Sequence, residues 1–290
     1  MSTIIGVQNL KKHFGKVKAI DGISFEVEKG EIFGFLGPNG AGKTTTIRCM
    51  MDFIRPSEGN ISILDKDAHK DDVWLKKKIG YLSGQVKLYD KWTGRMHIDF
   101  VSKLNGKTDI AKELIKKLDF DPNRKTKHLS SGNRQKLGLI MSFMCEPDVL
   151  IFDEPTNALD PLLQNTVYDM IADATKRGAT VFMSSHNLAE VQRICDRVGI
   201  IKEGKMAAIE SIVSLKEKRI NTVRVLFANK VDPKEFEIEG VEVNKKFDQE
   251  LVLQVKGGID KLVKILAKHT IRDLEVTEAT LEDIFLEYYE

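Results

Sequence analysis

Gly37-Pro38-Asn39-Gly40-Ala41-Gly42-Lys43-Thr44-Thr45 has the residue types and spacing of a cradle for phosphate. Its glycines let the chain curl until successive backbone N–H groups point inward, where phosphate oxygens accept them. A helix beginning at Lys43 adds the positive end of its dipole. The Lys43 ammonium then reaches the β- and γ-phosphates, and the Thr44 hydroxyl suits a bound Mg²⁺. A glycine-rich turn without chemistry is the plain alternative. The context disfavours it, because the apolar run Ile32-Phe33-Gly34-Phe35-Leu36 precedes the loop and helical spacing from Lys43 through Phe53 follows it. The loop alone predicts a nucleoside triphosphate and leaves the reaction open.

Two adjacent carboxylates narrow the reaction. Val149-Leu150-Ile151-Phe152 reads as a buried strand that carries Asp153 and Glu154 to its C-terminal end, where α/β sheets bind ligands. There Asp153 can hold the Mg²⁺ shell, and Glu154 can polarise an attacking water as general base. An ordinary turn or helix cap uses such a pair as well. Beside a phosphate cradle, the hydrolytic reading is the better one.

The elements that must position these groups alternate. Ile32–Leu36, Val149–Phe152, Thr180–Ser184 and Val198–Ile201 are continuous apolar runs, as expected of parallel strands buried on both faces. Asp160 supplies an N-cap and Pro161 a first helical position. Leu163, Val167, Met170, Ile171 and Ala174 then share one face, until Gly178 ends the helix. Strand, helix, strand in this order predicts an α/β fold with a mostly parallel sheet. From about residue 90 to 145 strand signals give way to helical ones, which predicts a helical subdomain inserted into the α/β core. After about residue 215 the pattern changes. Thr222–Phe227 and Leu251–Val255 read as half-buried strands, Ile259–Lys268 as an amphipathic helix, and Thr280 with Asp283 as the start of another. The predicted domains are therefore 1–215 and a small α+β domain over 216–290.

Composition removes several function classes. A net charge of +2 is too small for a general nucleic-acid binder. Lys76-Lys77-Lys78 and Lys116-Lys117 fall in helical segments and read as solvated faces. Cys49, Cys145 and Cys195 form no C-x-x-C pair, which fits neither a zinc site nor a disulfide framework and is compatible with a reducing compartment. Cys49 and Cys145 lie among apolar residues and read as core. The N-terminus shows no secretory pattern, and no run approaches the roughly 20 apolar residues of a spanning helix. The chain is expected not to cross a membrane.

Leu129-Ser130-Ser131-Gly132-Asn133-Arg134-Gln135 resembles the signature of the nucleotide-binding domain of ATP-binding-cassette (ABC) transporters. That signature is leucine, serine, glycine, glycine, glutamine; Leu129, Ser130 and Gly132 match, whereas Ser131 and Asn133 stand at its third and fifth positions. The same residues read as a helix N-cap ahead of Leu137, Leu139, Ile140 and Met141, and a helix N-terminus is what the motif aims at phosphate. Further matches follow the family's order. Phe14 resembles the aromatic residue that stacks on adenine, although a core position suits it too. Gln85 resembles the glutamine that touches Mg²⁺ and the lytic water and senses the membrane partner. Ala158-Leu159-Asp160 resembles the loop that crosses the dimer interface, and His186 the switch histidine that contacts the γ-phosphate.

The resemblance covers residues 1 to about 215 and implies a P-loop fold with an antiparallel β portion near the N-terminus. It implies ATP and Mg²⁺ as ligands, with two copies, or one copy and a related subunit, sandwiching two ATP molecules. The P-loop of one subunit and the signature of the other would hold each nucleotide. Closure would drive integral membrane subunits on separate chains, placing the protein in the cytoplasm at the inner face of the cell membrane. Residues 216–290 resemble more weakly the C-terminal domain of ATPases serving drug, antibiotic and ion exporters, chiefly through Thr277–Phe285, which favours export. A soluble ABC protein acting on ribosomes or DNA is the alternative. Paired cassettes or a long coiled coil would mark it, and this sequence has one cassette and no heptad run. A non-catalytic ATP-binding regulator is a further alternative, against which intact Glu154 and His186 argue.

Overall fold

The protein is described from a computed structural model over residues 2–105, 110–217, 220–247, 249–256 and 259–278. The chain divides into two units, Met1–Ile209 and Glu210–Glu290, just ahead of the boundary expected at 215/216.

β1 (Thr3–Phe14) and β2 (Val17–Glu28) form an antiparallel hairpin that turns at Gly15-Lys16. In β2, Ile23, Phe25 and Val27 point inward while Ser24 and Glu26 face solvent, the period of two that a one-sided sheet requires. β3 (Ile32–Leu36) then leads through the glycine loop into α1 (Lys43–Met50). Helical spacing predicted this helix through Phe53, and it ends three residues sooner. Asp52 takes a left-handed φ of 52°, while Asp52 N–H donates to the Cys49 carbonyl and Phe53 N–H to that of Arg48. This is a Schellman stop, which satisfies the last helical carbonyls.

β4 (Glu58–Ile63) and β5 (Lys66–Asp67) complete an antiparallel sheet of order β2-β1-β4-β5, the β portion expected near the N-terminus. α2 (Asp72–Lys76) and β6 (Ile79–Leu82) follow. The helical region then comprises α3 (Gly94–Asn105), α4 (Ala111–Lys117), a 3₁₀ turn at Thr126–His128 and α5 (Ser131–Phe143). It is an insertion in the strict sense, because β6 pairs in parallel with β7 (Val149–Asp153), the next strand after it.

α6 (Pro161–Lys176), β8 (Thr180–Ser185), α7 (Leu188–Ile194), β9 (Arg197–Lys202) and β10 (Lys205–Ser211) complete a sheet of order β10-β9-β3-β8-β7-β6. From β9 to β6 its pairings are parallel. Every residue of β3, β7 and β8 is buried, because both faces of the sheet are covered. On one face Phe25 of β2 stacks on Phe33 and Phe182, each at 5.6 Å between ring centres. On the other, Phe143 of α5 meets Phe152 at 5.3 Å.

α7 lies directly on β3. A β-carbon at Gly34 would stand 2.9 Å from both Cys195 Sγ and Val191 Cγ1. Gly34→Ala is therefore expected to destabilise the protein by about 1–3 kcal/mol through overpacking. Thermal unfolding measures this, and an unchanged Tm would show that α7 is free to move off the strand.

In the second unit, α8 (Ile212–Glu217) precedes β11 (Ile220–Phe227), β12 (Val241–Lys246), β13 (Glu250–Lys256), α9 (Asp260–Leu266) and β14 (Ile271–Glu278). The strands form an antiparallel sheet of order β12-β13-β11-β14. Val223, Val225, Leu251, Leu253 and Val255 build its core with Leu262 and Leu266 of α9. The helix start expected at Thr280, and most of the Thr277–Phe285 stretch, lie outside the described residues. Cys49 and Cys195 are buried, as core cysteines should be, but Cys145 is only half-buried. Burial pushes the Cys49 thiol up to about 11, which leaves it inert at neutral pH.

Candidate functional site

Strand order brings the separated motifs to one edge. β3, β8, β7 and β6 are consecutive and parallel, with Leu36 opposite Ser185 and Asp153 opposite Ser184. Their C-terminal ends therefore carry, in spatial order, Gly37, His186, Asp153-Glu154 and the turn to Gln85. Chain direction does this without any of the loops having to be long.

The glycine loop is held tightly at its ends. Gly37 N–H donates to the Ser185 carbonyl at 3.3 Å, and Gly204 N–H to the Ala41 carbonyl at 3.0 Å. Gly42 sits at φ 112°, and a β-carbon there would lie 2.6 Å from the Ala19 carbonyl, so only glycine fits. Pro38, Asn39 and Gly40 are exposed, Ala41 is buried and Thr45 half-buried. No side chain caps α1, so its first N–H groups have no side-chain acceptor and are available to an anion at the loop.

Lys43 is only 5% exposed. Its Nζ donates to the Gly37 carbonyl at 2.6 Å and to that of Pro38 at 3.1 Å, and lies 3.9 Å from Glu154 Oε1. Burial lowers the Lys43 ammonium below its ordinary range, and the charges of Glu154 and Asp153 oppose that fall.

Asp153 is buried and doubly engaged. Ser184 Oγ donates to its Oδ1 at 2.6 Å, and Thr44 Oγ1 donates to its Oδ2 at 2.8 Å. Glu154 occupies the left-handed region at φ 51°. Its N–H is shared between Ser184 Oγ and the Ser184 carbonyl, both at 3.2 Å. From that pinned backbone its Oε1 reaches His186 Nδ1 at 3.1 Å. One carboxylate therefore faces both the loop lysine and the histidine, an arrangement suited to drawing a proton from water beside a phosphate.

Thr44, Asp153, Glu154 and Gln85 line an open cleft of about 580 Å³, together with Arg48 and Tyr81. The Thr44 hydroxyl and the Asp153 carboxylate present oxygen donors side by side at its wall. Mg²⁺ prefers oxygen ligands and is held through one or two protein groups plus phosphates, so this donor set fits it. Gln85 is exposed, and its backbone is tied to Ser83 Oγ.

Ser130 to Asn133 of the signature are not among the residues that line that cleft. Ser130 caps α5 by accepting from Asn133 N–H at 3.3 Å, and Ser130 and Ser131 are exposed. A β-carbon on Gly132 would come within 2.9 Å of the Ala158 carbonyl, so the signature abuts the Ala158–Asp160 loop of its own chain. Asp160 caps α6, its Oδ1 accepting from Leu162 and Leu163 N–H at 3.0 Å each. Phe14 is half exposed at the hairpin tip, with Lys12 Nζ 5.0 Å from its ring centre. The structure thus places it at the surface and not in the core.

Sequence reasoning missed three supports. Ser184 anchors Asp153. Gln135, buried in α5, donates to the Glu154 and Pro155 carbonyls at 3.3 and 2.9 Å. Glu190, buried in α7, accepts from Thr156 and Ser185. The available signal was polarity: a buried polar side chain must find a partner. Which partner was not visible.

Comparison with known proteins gives the family. The ABC transporter family model matches residues 20–157. The ABC transporter ATP-binding protein YhcH of Bacillus subtilis is 34% identical, the alignment covering 99% of this chain and 96% of that one. The bacitracin transport ATP-binding protein BcrA of Bacillus licheniformis is 32% identical over 99% of this chain and 97% of its own. Among solved structures, an ATP-binding subunit of an ABC transporter superposes with a TM-score of 0.69 at 25% identity, covering 73% of this chain and 92% of that one. With the phosphate loop, the carboxylate strand and the histidine meeting at one sheet edge, and with relatives matched along nearly its whole length, the chain belongs to the ATP-binding proteins of ABC transporters, an ATPase family.

Proposed function

We propose that this ABC protein is the ATP-hydrolysing subunit of an exporter whose membrane-spanning subunits are separate chains. The observation that carries the reading is the Glu154 carboxylate, 3.1 Å from His186 Nδ1 and 3.9 Å from Lys43 Nζ. In the proposed reaction Lys43 and the loop amides bind the β- and γ-phosphates, and Phe14 stacks on the adenine. Glu154 takes the proton of the attacking water while His186 orients that water against the γ-phosphate. Thr44, Asp153 and Gln85 would hold Mg²⁺, which when bound neutralises charge on the phosphate oxygens.

Residues 1–215 form the ATPase part in this proposal, and 216–290 an accessory α+β part. The working unit is a dimer in which Ser130 to Asn133 of one subunit meet the nucleotide of the other and Asp160 lies at the interface. No described helix is long and apolar enough to cross a membrane. In this proposal the ATPase docks at the inner face of the cell membrane against the spanning subunits, as its membership of the ABC transporter ATP-binding proteins suggests. Export is favoured by the resemblance of residues 216–290 to the C-terminal domain of exporter ATPases, and BcrA, a relative matched along nearly its whole length, is named for bacitracin transport.

Dimer formation tests this. The γ-phosphate is what the Ser130 hydroxyl and the α5 N-terminus would contact, and ADP lacks it, so only ATP should shift the population towards dimer. With Glu154→Gln to prevent turnover, light scattering should report a dimer in Mg-ATP and a monomer in Mg-ADP. Ser130→Arg should abolish the dimer and leave ATP bound. A protein that stays monomeric in Mg-ATP at high concentration would rule out self-pairing and make a second, different cassette the partner.

A further inference from the structure

Glu190 is a carboxylate with no place in the reaction above, yet it is only 4% exposed. Thr156 Oγ1 donates to its Oε1 at 2.7 Å and Ser185 Oγ to its Oε2 at 2.6 Å. Those two hydroxyls belong to the two segments that must meet for hydrolysis. Thr156 lies two residues beyond Glu154, and Ser185 immediately precedes His186. The Ser185 carbonyl also receives the Gly37 N–H, so the phosphate loop hangs on the same residue.

α7 gives Glu190 a fixed base. Asn187 caps that helix by accepting from Ala189 and Glu190 N–H. Val191 and Cys195, on the same turn and the next, press against Gly34 of β3. Burial pushes the Glu190 carboxyl up, and the hydroxyl bonds from Ser185 and Thr156 oppose that. A carboxylate this buried needs both bonds to offset the cost of its desolvation.

We propose that Glu190 is a positioning residue, a buried strut that sets the separation of Glu154 from His186 by fastening their two chain segments to α7. In this role it acts through Thr156 and Ser185, and not on the reacting atoms themselves. The inference rests on the reading of Glu154 and His186 as the hydrolytic pair.

The test uses the full chain, with kcat and KM for Mg-ATP, ATP affinity by titration, and Tm for each variant. Glu190→Ala cuts both fastenings and is expected to lower kcat by about 10- to 100-fold, the scale on which small misplacement acts. ATP affinity should stay within about threefold of the parent, because the loop lysine and amides are not cut. Glu190→Gln should recover most of that loss, since an amide can accept from one hydroxyl and donate to the other. Thr156→Val removes a single fastening and should fall between, so it carries the test if Glu190→Ala fails to fold. The proposal is overturned by normal kcat in Glu190→Ala or Thr156→Val. It is equally overturned by parallel loss of affinity, kcat and Tm that Glu190→Gln does not restore. Normal turnover in Glu154→Gln overturns the hydrolytic pair and this inference together. An inactive Glu154→Gln beside a fully active Glu190→Ala overturns this inference alone.

Discussion

Glu154→Gln should bind Mg-ATP as the parent does and hydrolyse it about 10²- to 10⁴-fold more slowly, the usual range for loss of a general base. The geometry makes this substitution clean. Glu154 is pinned by its own backbone, with its N–H on Ser184 and its carbonyl held by Gln135 Nε2. The amide side chain has the same shape, so nothing else needs to move, and only the basic oxygen opposite His186 and Lys43 is lost. Single-turnover hydrolysis and a separate binding titration check the two halves of the statement. Full turnover in this variant would mean that a different group activates the water. His186→Ala should show a defect in the same direction and smaller, because in the proposed reaction the histidine orients the water and the carboxylate accepts its proton.

Lys43→Ala should weaken ATP binding by about 10²- to 10³-fold, which corresponds to losing one or two hydrogen bonds to charged phosphate oxygens. Lys43 Nζ already lies within the loop, bonded to the carbonyls of Gly37 and Pro38. A phosphate therefore meets a donor that is preorganised and largely removed from water, where a charge acts more strongly than at the surface. Because the substitution also leaves two loop carbonyls without their donor, Tm must be measured alongside affinity. Parent-like affinity in a folded Lys43→Ala would remove the loop from the binding site.

Much of this protein is written locally. The glycine loop is readable because φ values open only to glycine, and N–H groups at a helix start, are properties of a few adjacent residues. Val149–Phe152 and Thr180–Ser184 are readable because strands covered on both faces have no polar alternation to confuse them. Asp160 and Pro161 announced α6 through capping, which acts within one turn. The signature read as a helix start for the same reason, and Ser130 caps α5.

Other features depended on neighbours distant along the chain. β1 carries register shifts against β2 that break its alternation, so its pairing pattern is not periodic in sequence. The stop of α1 depended on Asp52 adopting a left-handed turn that glycine usually supplies. Residue types at 43, 153, 154 and 186 pointed to the chemistry, but the β3-β8-β7 order decided that one Glu154 oxygen would come within reach of both Lys43 and His186. Glu190 and Gln135 look in sequence like ordinary polar residues on helices. Only folding, which buries them and obliges each to find hydrogen-bond partners across the sheet edge, turns them into supports of the site.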